Sequence, residues 1–219
     1  MRSIGRFTVR DTLTEMTNPD LCALAVVDLQ NDFCHPGGSY ARCGKDFTQI
    51  TAMLPRAVGF VRNAQSLGIR CAFIRQVTLP DGRSDSPAWI RFKVRDGKSA
   101  DYALQDSWGS ELIEGLEPHP RDLMIEKFRP DAFHRTPLDL LLRANGIETL
   151  IVLGVLTEGC VESTVRSSSY HDYYTIVVED CVGSTNPINH DGSMNLFRAR
   201  YPMAMSEELI EVWSSSLGS

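Results

Sequence analysis

Thr149-Leu150-Ile151-Val152-Leu153-Gly154-Val155-Leu156-Thr157-Glu158-Gly159-Cys160 decides the architecture of this 219-residue chain. Its first half is a continuous apolar run, too short for a helix and rich in β-branched residues. That is the pattern of a strand covered on both faces. Its second half is a short loop that ends on a cysteine, and residues 160–173 then carry a helical pattern. A strand, a tight loop and a helix in that order form one arm of a βαβ crossover.

Working outward, residues 23–28, 69–75, 123–127 and 175–179 repeat the apolar, β-branched signature. Helical patterns lie between them. In 47–67, Ile50, Met53, Leu54, Ala57, Val58, Val61 and Ala64 recur near a 3.6-residue period, and Gly68 is a C-cap candidate. Pro55 inside that run predicts a kink or a late helix start. In 137–144, Thr136 is the N-cap candidate, Pro137 takes the first helical position and Gly146 closes the helix. Residues 191–200 complete the set. This alternation predicts a single domain over 1–219, an α/β fold with a doubly wound parallel sheet and helices on both faces.

Composition narrows the function. Lys and Arg number 22 against 28 Asp and Glu, for a net charge of −6, which argues against a nucleic-acid binder. No apolar run approaches the roughly 20 residues that span a bilayer, so no membrane partner is expected. The first residues carry basic side chains without the apolar stretch of a signal peptide, and a reducing cytoplasm is the expected location. Six cysteines, at 22, 34, 43, 71, 160 and 181, form no C-x-x-C pair and no disulfide framework. Most read as packed thiols.

Residues 78–110 interrupt the strand–helix rhythm. Arg83, Arg91, Lys93, Arg95 and Lys98 alternate with Asp81, Asp85 and Asp96. Such an insertion at the carboxyl end of a strand either shapes a pocket or is a solvated loop or subunit contact.

Ligands of parallel α/β sheets bind outside the carboxyl ends of the strands. Three complementary groups fall there: Asp28 after the first strand, Lys127 at the end of the third, and Cys160 one loop beyond the fourth. A cysteine at a helix start, with a lysine nearby, is expected to have a lowered thiol pKa. Asp28 is then the candidate acid–base and backbone N–H groups of the 155–160 loop the candidate oxyanion donors. Each residue also has a plain structural reading: a strand-end cap, a surface charge and a packed thiol.

The residues around these three carry a resemblance. Val27-Asp28-Leu29-Gln30-Asn31-Asp32-Phe33 with Pro36-Gly37-Gly38, Glu126-Lys127 with Ala132-Phe133 and Thr136-Pro137, Gly154 to Arg166, and Val178-Glu179-Asp180-Cys181 resemble, in order, the segments of the isochorismatase-like cysteine hydrolases. The resemblance covers nearly the whole chain. It implies a six-stranded parallel sheet, a dimer or tetramer, and an Asp28–Lys127–Cys160 triad working through a thioester. It also implies a cis peptide between Val155 and Leu156 and an oxyanion hole from the Leu156 and Cys160 backbone. Leu at 156 departs from the Thr or Ala often found there.

Nicotinamidases of this family hold a metal through an Asp-x-His pair and a further His. Here 75–83 offers no histidine, so no metal and no other cofactor is expected. True isochorismatases need no cysteine nucleophile, so Cys160 points to C–N hydrolysis. Cys160-Val161-Glu162-Ser163-Thr164 resembles the ureide and amide amidohydrolase branch, with a small linear amide or ureide as substrate. Isochorismate, a nicotinamide-type amide, or a non-catalytic binding role on the same fold are the alternatives. Candidate pocket residues are Gln30, Asn31, Phe33, Trp89, Trp108 and Phe133, although Asn31 and Asp32 read equally as loop braces. His134 and Arg135 are weaker candidates for a substrate carboxylate.

Overall fold

A computed structural model describes residues 1–95 and 99–217; Asp96 and Lys98 of the charged insertion lie outside the described residues. An antiparallel hairpin, β1 (Arg2–Ile4) and β2 (Phe7–Val9), and one capped helical turn, α1 (Leu13–Met16), lead into the main sheet. That sheet comprises β3 (Cys22–Val27), β4 (Arg70–Gln76), β5 (Leu123–Lys127), β6 (Thr149–Val155), β7 (Tyr174–Gly183) and β8 (Met203–Ala204). All neighbours pair in parallel, in the order β5-β4-β3-β6-β7-β8. The winding reverses beside β3, which opens a crevice at the carboxyl ends of β4, β3 and β6.

The unbroken apolar runs follow from burial on both faces. Leu24 and Val26 of β3 join Phe73, Ile151 and Leu153 on one side, packed by α4 (Thr48–Ser66) and α9 (Ser206–Leu217). Ala23, Ala25 and Val27 join Ile74, Leu150 and Val152 on the other, packed by α6 (Leu138–Ala144), α7 (Glu162–Tyr170) and α8 (Pro187–Arg200). Between β3 and α4 come two short helices, α2 (Asn31–Cys34) and α3 (Ser39–Arg42), and α5 (Pro87–Lys93) lies in the insertion after β4. Trp213 anchors α9: its ring stacks on Phe60 at 5.8 Å, and Nε1 donates to the Thr17 carbonyl at 2.9 Å. Burying a side chain of that size contributes about 2–3 kcal/mol.

Several local expectations are corrected. α4 runs from Thr48 straight through Pro55, so the proline does not delay its start. The missing proline N–H costs one bond in a helix whose Ile50, Ala57 and Val61 are fully buried, and packing outweighs it. α6 begins at Leu138 with Pro137 one place outside it, and Thr136 Oγ1 accepts from the Leu138 N–H at 3.3 Å. The 160–173 helix is α7, preceded by a π-helical turn over Thr157–Val161. α8 starts at Pro187, four residues before the expected 191, where the Asn186 side chain caps the Asn189 N–H.

Candidate active site

Asp28 follows the last residue of β3 with φ at 53°, a left-handed conformation that turns the chain sharply off the sheet. Its own N–H donates to the Ile74 carbonyl at 2.9 Å. Two strands away, Lys127 ends β5 in register with Gln76 of β4. The Lys127 side chain is completely buried and spans β4. Its Nζ donates to Asp28 Oδ2 at 2.8 Å and to Gln76 Oε1 at 3.1 Å. The Gln76 backbone N–H donates to Asp28 Oδ1 at 2.9 Å. Both oxygens of a carboxylate that is only 2% exposed are therefore engaged, as a buried charge requires.

Gly154 lets the third member approach. It has φ at 125°, and a Cβ there would sit 2.0 Å from the Val27 carbonyl oxygen, so only glycine allows β6 to press against β3 at this level. Beyond it the Val155–Leu156 peptide is cis, and the π-helical turn carries Cys160 as its fourth residue. π-turns inside helices recur at functional sites. Thr157 Oγ1 and His190 Nδ1 of α8, 2.8 Å apart, tie this turn down.

The thiol is not in the state expected from a helix start. Burial, and next the Asp28 charge, push Cys160 up to about 12; Lys127 offsets part of this. Burial pulls Lys127 down, but Asp28 and Cys160 outweigh it and hold the ammonium above its usual range. The thiol is thus held above its ordinary range beside the Asp28–Lys127 pair. The expected lowering is reversed because desolvation and the Asp28 charge outweigh Lys127.

Asp28 and Cys160 border a cavity of about 310 Å³, and the wholly buried Lys127 lies behind Asp28. Phe33 and Trp89 line it, as do Leu156 and Cys160. The other expected pocket residues do not. Gln30 is fully buried and donates to the Gln76 and Ser110 carbonyls at 3.0 and 2.9 Å, and its Oε1 accepts from the Gln76 N–H, so it braces Asp28 from behind. Asn31 donates from Nδ2 to the Trp108 carbonyl at 2.8 Å and ties its loop down. Trp108 is 47% exposed and packs edge-on against His35 outside the cavity. Phe133 stacks on His171 within the core beneath α6 and α7. His134 and Arg135 are exposed and lie off the cavity.

The residue pattern missed Tyr40, Phe92, Arg95 and Tyr102, which border the cavity beside Phe33 and Trp89. Tyr102, Tyr40 and Phe33 meet edge to face at 5.1–5.9 Å, and all three border the cavity. Trp89, Phe92, Arg95 and Tyr102 belong to the 78–110 insertion, so this segment shapes the pocket. Its aromatic residues were the available signal. Lys93, only 2% exposed, pins the segment by bonding Asp85 and Thr78 and by lying 4.8 Å from the Tyr102 ring centre. Asp32 helps from the other side, accepting from the Ser39 and Ala103 N–H groups at 2.9 and 2.7 Å. A larger, open groove of about 710 Å³ between α4 and α9 contains none of the three reactive groups. Among the described residues, no cluster of three or more His, Cys, Asp or Glu is placed to hold a metal ion, and no helix is long and apolar enough to cross a membrane.

Known proteins share this arrangement of elements. A ureidoacrylate amidohydrolase from Methylorubrum extorquens is 32% identical over 178 residues, covering 77% of this chain and 72% of the relative. A cysteine hydrolase from Pseudomonas syringae pv. phaseolicola superposes with a TM-score of 0.78 at 23% identity, covering 97% of this chain and 99% of the other. An N-carbamoylsarcosine amidase from Thermoplasma acidophilum gives 0.67 at 26% identity over 85% of this chain and 96% of its own. The Isochorismatase domain pattern matches residues 22–208, from the first strand of the main sheet into α9. A sheet wound outward from β3, with its reactive groups at the carboxyl ends, is thus the framework of a known lineage: this chain belongs to the isochorismatase family.

Proposed function

We propose that the chain is a cysteine-dependent amidohydrolase that cleaves the C–N bond of a small linear amide or ureide through a thioester. The observation that carries this reading is Asp28, which borders the same cavity as Cys160 and is held from behind by the buried Lys127 at 2.8 Å. Relatives named as ureidoacrylate amidohydrolase and N-carbamoylsarcosine amidase support the substrate class.

The chemistry follows from the three groups together. As the sulfur attacks the carbonyl carbon, the Sγ proton passes to Asp28, and Lys127 holds the charge balance of the buried pair. The Leu156 and Cys160 N–H groups receive the developing oxyanion. Collapse expels the nitrogen leaving group, which takes the proton from Asp28. Water then attacks the thioester, Asp28 accepts its proton, and the acid leaves as the thiol re-forms.

Two features of the setting are proposals of the same kind. Five cysteines beside Cys160 are free thiols, which supports a reducing compartment such as the cytoplasm. Exposed Leu140, Tyr170 and Ile188 offer apolar surface to a second copy, which supports a homo-oligomer testable by light scattering.

The deciding experiment is ammonia release from biuret, ureidoacrylate, N-carbamoyl amino acids, maleamate and nicotinamide. Wild-type turnover of a linear amide or ureide is expected, with a loss of about 10⁴-fold or more in Cys160→Ala. Equal rates in the two proteins, or no turnover of any compound, would sink the reading.

A further inference from the structure

The cavity holds a carboxyl group that the triad does not use. Glu158 lies on the π-turn two residues before Cys160 and borders the same cavity. Among the described residues its Oε2 is enclosed with no hydrogen-bond donor in reach, and no ion pair neutralises the side chain. The cavity's other acid, Asp28, has both oxygens filled by Lys127 and the Gln76 N–H. Glu158 therefore supplies the pocket's spare carboxyl acceptor. An enclosed acceptor without a donor is costly, and the cost is recovered when an occupant brings one. Rotation about the terminal torsion, which is soft for glutamate, turns either oxygen toward that occupant.

We propose that Glu158 is a specificity-determining residue that accepts hydrogen bonds from the N–H groups of a ureide, and so selects carbamoyl compounds over simple acyl amides. The inference rests on the amidohydrolase reading of the site and deepens it. A ureide carries nitrogen on both sides of its carbonyl. When the carbon stands over Cys160, one nitrogen is the leaving group, and the other falls beside the turn that bears Glu158. An acyl amide puts a methyl or methylene there, which leaves the carboxyl oxygen unpaired. Lys45 and Arg95 also border the cavity and favour an anionic substrate tail, but they do not distinguish these two classes.

The test is calorimetric binding to the Cys160→Ala protein of N-carbamoyl-β-alanine and N-acetyl-β-alanine. The pair shares its carboxylate and differs by NH₂ against CH₃. The ureide is expected to bind about tenfold tighter or better, the usual effect of a hydrogen bond to a charged group. Adding Glu158→Ala should erase the preference by weakening the ureide alone. Glu158→Gln, which keeps one acceptor oxygen and nearly the same shape, should retain part of it. Equal weakening of both ligands marks a structural role and overturns the proposal; so does a preference that survives Glu158→Ala, or none in the Cys160→Ala protein. Wild-type ammonia release is scored separately. A site that discriminates the ligands without turning either over leaves Glu158's role standing while the amidohydrolase reading falls.

Discussion

Replacing Lys127 by Met tests whether the Asp28–Lys127 pair is a buried charge system or an incidental contact. The side chains are 2% and 0% exposed and the N–O distance is 2.8 Å. At that distance, with an effective dielectric of about 20, the gross attraction is about 6 kcal/mol, and desolvation of both ions opposes it. Lys127→Met keeps the volume but strands the Asp28 carboxylate, with the Gln76 N–H as its remaining bond. Removing one member of such a pair costs about 3–5 kcal/mol. Asp28→Asn in the same chain removes the stranded charge and should restore much of the loss, giving a coupling of at least about 2 kcal/mol. The assay is urea unfolding at pH 7 under reducing conditions for the wild type, both single variants and the double variant. All three variants should be inactive, so stability alone discriminates. The argument is refuted if Lys127→Met loses under about 1 kcal/mol, or if the double variant loses the sum of the two single losses.

Alkaline conditions should destabilise the fold. Burial holds Cys22, Cys160 and Cys181 at about 12, and Cys34 and Cys71 higher still, against an ordinary 9.0. Each raised thiol contributes stability that is fully present below its unfolded value and lost as pH rises from about 9 through the folded value. The slope is up to about 1.4 kcal/mol per pH unit per thiol, discounted for partly exposed Cys160. An unfolding free energy unchanged between pH 8 and 10 in reductant would contradict this. At the pocket, Trp89→Ala should raise KM for the substrate about 3- to 10-fold, whereas Trp108→Ala, outside the cavity, should leave KM within about twofold. Steady-state kinetics reads both, and the reverse order would remove Trp89 from the substrate wall.

The inner strands of the main sheet were legible because both faces are buried, which leaves a run such as Leu150 to Leu153 no polar interruption. β5, with Met124 exposed, showed only as a short stretch ending in charge. β8 was not legible, since two residues paired only to Val177 and Val178 carry no periodicity. Asp28, Lys127 and Cys160 stood out as ionisable or nucleophilic groups at strand ends. Gln76 sits at such an end too, but a neutral amide gives no signal until its N–H and Oε1 are seen to bridge the pair. Gln30 and Phe133 were misplaced for a related reason. Being near a site along the chain does not determine which way a side chain turns, and here one faces the ladder and the other the core. Tyr40 and Tyr102 meet across 62 positions of sequence, a contact that only the folded insertion creates.

Lys127 rides on the margin of the sheet. β5 has a single strand neighbour, β4, and three of its five residues are partly or fully exposed. In the free chain, such a margin detaches at lower free energy than the centre. Detachment withdraws Lys127 from Asp28 while β3 and β6, whose ends position Asp28 and the turn that bears Cys160, stay paired. The molecule can thus lose the Lys127–Asp28 pair, and with it the proposed chemistry, by fraying before it melts. Thermal inactivation and thermal unfolding are then separate events, with deuterium uptake along β5 tracking the first and uptake along β3 the second.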